Sequence, residues 1–168
     1  MNTQFSRANA ALTYELPQLI RKLQDKEGLA EQDAKDLFQD TLRFLYICGT
    51  GNGGHVPSAR IDLAWHYFIL FTRDYRDFCD KFFGRFIDHQ PRHQAETKAE
   101  TLRQIKNTLA QARTVFGEGL SQNWRYRATD CEEPSADCTG GTTNCQDPPP
   151  CAQPARAAQT ASQAAERT

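Results

Sequence analysis

Residues 33–54 read DAKDLFQDTLRFLYICGTGNGG, and the fold class turns on how this run is understood. It closes on Gly49-x-Gly51-x-x-Gly54, the spacing of a dinucleotide-binding glycine loop. Such a loop needs a strand before it, a helix opening on its last glycine and a βαβ unit around both. Here FLYIC continues a 3.6-residue period instead. Leu37, Phe38, Thr41, Leu45 and Cys48 line one side, while Glu31, Asp33, Lys35, Asp36 and Asp40 are expected to face water. The run is therefore the end of a helix, capped by the first glycine and followed by a connector. Pro57 then delays the next helix to about Ser58–Ile61. Asp74 stands where a ribose-binding acid would be sought, but on the polar side of a helix. The nucleotide reading fails.

Working outward, the dominant period stays helical. Leu12, Leu16, Leu19, Ile20 and Leu23 share a face, Pro17 fits only a first turn, and Gly28 is a natural stop. Ile61 to Phe71 is apolar nearly all round, which predicts a central buried helix. Thr72 is a good N-cap for the next one, where Tyr75, Phe78, Cys79, Phe82 and Phe83 form the inner stripe. Gly84 ends it, and RFIDHQP is an extended exit that stops at Pro91. A last helix, about 95–116, buries Leu102, Ile105, Leu109, Ala112 and Phe116 and ends at Gly117. Trp124 and Tyr126 are expected to fold back over the bundle. The expectation is an all-α protein, a single compact bundle of about five helices.

Composition sets the limits of that bundle. All ten Phe, both Trp and all five Tyr lie at or before Tyr126, whereas residues 128–168 hold five of the eight Pro and no Leu, Ile, Val or Phe. Such a tail cannot bury enough apolar surface to offset the entropy of ordering it. Residues 1–127 are thus expected to form a helical domain and 128–168 a disordered, low-complexity tail. The first part carries a net charge of +3 and the tail −4. A charge of +3 is too small to argue for nucleic acid. No signal peptide or membrane span is legible, so a cytoplasmic protein is expected, with a protein or small ligand as partner. Four of the six Cys (Cys131, Cys138, Cys145 and Cys151) lie in the tail at spacings of seven, seven and six. The tail reads as low complexity, as a metal-scavenging segment, or as a modified peptide.

The chemistry concentrates in IDLAWHYFILFTRDYRDFCDKFFGRFIDH, residues 61–89. Asp62 and His66 are i and i+4, so they meet on one helical face. An Asp there can fix the tautomer of a His, or both can ligate a metal. A helical hairpin could bring Cys79 towards them, and His89 ends the exit segment. Asp62, His66, Cys79 and His89 form the candidate metal set, with zinc as the candidate ion. His55 and His93 are further candidates. No C-x2-C or H-E-x-x-H spacing accompanies them, so a packed Asp–His pair competes with this reading.

The same residues resemble the plant and bacterial glycine-rich domain-containing protein-like family. Pro57, Asp62, Trp65, His66, Tyr75, Cys79 and Gly84 match its P-x4-D-x2-WH, Y-x3-C and FGR pattern, densely over 57–91 and more weakly at VFGEGLSQNW, residues 115–124. The resemblance implies a shared site around Asp62, Trp65, His66 and Cys79, with Tyr75 beside it. Many members carry a second polar residue, commonly His, two places after the Trp-His histidine; here Phe68 stands there. Some members bear RNA-binding modules elsewhere, and none fits in this chain.

Three functions follow as expectations. The first is a non-enzymatic helical binding module holding zinc. The second is an enzyme in which Asp62 orients His66 as general acid or base. The third is a recognition domain carrying a Cys-rich tail that is modified. A nucleic-acid surface built from Arg85, Arg125, Arg127, Trp124 and Tyr126 ranks below these, because it needs exposed rings.

Overall fold

The computed structural model describes residues 3–51, 54–90 and 97–126. Among them are six α-helices and no strand: α1 (Thr3–Ala10), α2 (Pro17–Glu27), α3 (Glu31–Thr50), α4 (Ala59–Leu70), α5 (Thr72–Phe83) and α6 (Lys98–Phe116). Short 3-10 turns follow at Ala11–Thr13 and Gln122–Trp124. The all-α expectation holds, and the 128–168 tail lies outside the described residues.

The central helix is α3. It packs against α1, α2, α4, α6 and the Gln122–Trp124 turn, and its run from Leu37 to Ile47 is buried at nine positions. The expectation that α4 would be central is corrected. Only Ile61, Ala64, Trp65 and Phe68 of α4 are buried, at i, i+3, i+4 and i+7, and Leu70 is exposed. Its continuous apolar run marks a helix whose inner stripe packs on α3 while its outer apolar residues reach the surface. Phe68 anchors that stripe, fully buried and edge-on to Phe38 and Tyr75 at 5.4 and 5.0 Å. Full burial of such a ring contributes about 2–3 kcal/mol.

The glycine run is resolved by packing. α3 continues through Gly49 and Thr50 to a cap at Gly51, so Gly49 lies inside the helix and does not end it. A Cβ on Gly49 would collide with the Phe83 ring, and one on Gly51 would lie 2.9 Å from His55 Nε2. These glycines permit close approach by α5 and by the connector. Arg85 donates to the Cys48 carbonyl at 2.7 Å, satisfying the end of α3. That accounts for Arg85 without a nucleic acid.

Three local readings change as well. Pro17 does take the first turn of α2, but Leu12, expected on the same face, lies in the separate 3-10 turn Ala11–Thr13. Thr72 is the first residue of α5 and makes no capping bond. α1 had no periodic apolar signal. It is held by small buried alanines (Ala8, with Ala11 just beyond) and by Arg7, which donates to the Lys81 carbonyl at the end of α5 at 2.7 Å. Elsewhere the reading holds: Gly28 and Gly84 end their helices at φ 64° and 68°. The structure adds two caps, Ser58 on α4 and a capping box of Thr97 with Glu100 on α6.

Asp40 departs most from expectation. It is buried at 1 % exposure, not solvated. Its carboxylate accepts from Ser121 Oγ at 2.6 Å, Asn123 Nδ2 at 2.9 Å, Trp124 Nε1 at 3.0 Å and Arg43 Nη1 at 3.0 Å. Three of these donors come from the segment after α6, so one carboxylate fastens that segment to the central helix. Ser58 Oγ bonds the Asn123 carbonyl, and Tyr126 donates to the Val56 carbonyl at 2.6 Å. Trp124 and Tyr126 do fold back, each 2 % exposed, so neither ring can stack on a base. Asp40→Ala would leave three donors of the closing segment without an acceptor. The expected loss is on the order of 3–5 kcal/mol, read by urea unfolding. A loss below about 1 kcal/mol would show that the carboxylate does not hold the segment.

Candidate metal centre

The site is built on α4 and on residues 85–90, which leave α5 at Gly84. Ser58 starts α4, so Asp62 and His66 emerge one turn apart on its outer face while Trp65 points inward. The His66 Nδ1 lies 2.7 Å from the Asp62 backbone carbonyl and 3.3 Å from its carboxylate Oδ2. A carbonyl only accepts, so Nδ1 carries the proton and Nε2 is left with a free lone pair. His89 comes back over α4 from the exit segment. Its Nε2 bonds Asp62 Oδ1 at 2.8 Å, and its ring packs on Trp65 and His66 with centroids at 4.4 and 4.2 Å. One donor atom from each of Asp62, His66 and His89 lies within 4.8 Å of the others. The cluster sits at the surface, with the His66 side chain 55 % exposed, Asp62 36 % and His89 15 %.

Three of the four residues expected as ligands therefore converge. Cys79 does not join them. It is fully buried on α5, with its thiol beside the Ile87 backbone and the Tyr75 hydroxyl. Burial pushes the thiol up from its ordinary value, which disfavours the thiolate that a metal would need. Trp65 and Tyr75 also lie beneath the site and do not face it. The Trp65 indole donates to Tyr75 Oη at 2.9 Å, and the Tyr75 hydroxyl donates to the Ile87 carbonyl at 2.6 Å. Burial raises the Tyr75 pKa, with Cys79 adding to it, so the hydroxyl keeps its proton. Cys48 is half-buried, and its thiol is pushed up to about 12 by desolvation despite nearby Arg85.

His55 lies outside the cluster, over Gly51 and towards Gln111. Both its ring nitrogens are buried without a protein partner. His93 and the four tail cysteines lie outside the described residues. The position that the resemblance led one to expect as polar, Phe68, is in the core; the second histidine arrives from the exit segment instead.

Comparison with known proteins places this geometry in a family. The UCP032817-like family matches residues 6–126, and the chain belongs to it. This overturns the resemblance to the glycine-rich domain-containing protein-like family, whose shared residues are those of a Trp-His and Tyr-x3-Cys helical hairpin. No curated protein and no solved structure matches the chain. No described helix is long and apolar enough to cross a membrane.

His55 supplies a pH test. Desolvation lowers its pKa in the folded protein, so the unfolded chain takes up this proton first, near pH ~6.5. The stability linked to a neutral His55 is full above that pH and is lost as pH falls towards the lower folded-state pKa. Urea midpoints should therefore drop between about pH 7 and pH 5, and drop less in His55→Leu. Equal slopes in the two proteins would contradict the assignment.

Proposed function

We propose that this domain is a small helical metal-binding module in which Asp62, His66 and His89 hold zinc. The observation that carries the reading is the meeting of three donor groups from α4 and the exit segment within 4.8 Å. A carboxylate with two neutral imidazoles is a sound zinc donor set, and three protein ligands leave a fourth position for water or a ligand. The exposure of His66 supports an open position that faces solvent.

The distances support a site that closes on its ion. His89 Nε2 and Asp62 Oδ1 are 2.8 Å apart and share a proton. Two ligands of one tetrahedral zinc sit about 3.3 Å apart. Zinc in place of that shared proton would part the pair by roughly half an ångström and would draw the His66 ring inward. The exposed His66 ring has room to move. Protons compete with the metal for the ligand atoms, so zinc uptake weakens as pH falls.

A second reading rests on the same exposure. His66, bonded to Asp62 and open to solvent, has the arrangement of an oriented general acid or base. The domain boundary is proposed at residue 127, supported by closure of the core on Tyr126, with residues 128–168 as an appendage.

Metal analysis and calorimetry test the proposal. The full chain should take up one zinc, and His66→Ala or His89→Ala should each weaken it by more than about 100-fold, beyond the 10–100-fold typical of outer-shell partners. His55→Ala should bind as wild type. A wild-type protein that takes up no zinc and melts identically with and without chelator would end the metal reading.

A further inference from the structure

We infer that Tyr75 is a positioning residue for the metal centre: its hydroxyl, joined to the Trp65 indole and the Ile87 carbonyl, fixes the exit segment so that His89 meets Asp62 and His66. The inference rests on the metal reading and names what governs the strength of that site. His89 is the ligand with the least local support. Asp62 and His66 are fixed by the α4 backbone, whereas residues 86–90 have no regular secondary structure. Something other than a helix must hold His89 over α4.

The structure supplies that hold two residues before His89. Ile87 is 7 % exposed, and its carbonyl is held by a buried hydroxyl. Its carbonyl accepts from Tyr75 at 2.6 Å, and its backbone also contacts the Cys79 thiol. Tyr75 is in turn fixed by the Trp65 indole at 2.9 Å, and Trp65 is itself one wall against the His89 ring. Trp65 thus stands next to ligand His66 in sequence, touches ligand His89 through its ring, and locks the carrier of His89 through Tyr75. The chain runs through the core: Trp65, Tyr75 and Cys79 are 5 %, 1 % and 0 % exposed. Water cannot easily replace a lost member. The Trp-His and Tyr-x3-Cys pattern then has a division of labour, with His66 binding while Trp65, Tyr75 and Cys79 position.

Tyr75→Phe isolates the hydroxyl. The ring can keep its contacts with Phe68 and Phe86 at 5.0 and 5.3 Å, while the Trp65 N–H and the Ile87 carbonyl lose their partner. Zinc affinity of the full chain should fall about 10–100-fold, as for an outer-shell partner. In a His89→Ala background the same substitution should change affinity by no more than about twofold, because the ligand it positions is already gone. A purely structural role would lower affinity equally in both backgrounds, and that result would overturn the inference, as would an unchanged Tyr75→Phe. Should Tyr75→Phe fail to fold, Trp65→Phe removes the indole that fixes the Tyr75 hydroxyl and is read by the same cycle. The nuclear Overhauser contact between the Trp65 and His89 rings provides a metal-free readout. Should wild type bind no zinc, the functional reading fails by itself. Loss of that contact in Tyr75→Phe would still support the positioning role, and its retention would overturn it.

Discussion

The Tyr75 hydroxyl accepts a hydrogen bond from the Trp65 indole and donates one to the Ile87 carbonyl, and the path of the exit segment depends on that pair of hydrogen bonds. Helices α4 and α5 would pack through Phe68, Tyr75 and Phe78 without it, since ring contacts are tolerant of small shifts. A hydrogen bond at 2.6 Å is not tolerant. It sets where the chain runs after Gly84, and therefore where an imidazole two residues later can reach. The core thus dictates a surface geometry through directional bonds, while the apolar contacts around them supply most of the stability.

Asp40 applies the same principle at the opposite edge. One buried carboxylate gathers Ser121, Asn123 and Trp124 onto α3, and Tyr126 closes on Val56 just ahead of α4. Both non-helical segments that follow a long helix are therefore fastened by a polar group buried in the bundle. Each fastening also reaches α4: the first through Trp65, the second through the Val56–Ser58 entry. α4 carries two of the three donors, so its placement is determined from both ends.

What was legible in the sequence follows from which interactions leave a local imprint. Amphipathic periods located α3, α5 and α6 and disposed of the glycine loop, because burial of a helical stripe repeats every 3.6 residues. The i, i+4 spacing of Asp62 and His66 likewise declared their meeting. Asp40 could not be read, since a buried acid looks like a solvated one until its donors, some 80 positions later, are in place. Nor could α1, whose anchor is a single Arg7 on a distant helix end. Cys79 suits zinc by residue type; only the fold reveals that it is buried beneath the site and outside the cluster. His89 was legible as a candidate, but its approach depends on a path through an irregular segment that no period describes.

The central claim is that two imidazoles and one carboxylate, with no sulfur, form a metal centre on the outer face of α4. X-ray absorption at the zinc edge of the loaded full chain tests it most directly. The account predicts a first shell of nitrogen and oxygen at about 2.0–2.1 Å with the multiple scattering of imidazole rings. A sulfur shell at about 2.3 Å would contradict it, because the metal would then be held by thiolates and not by the Asp62–His66–His89 cluster.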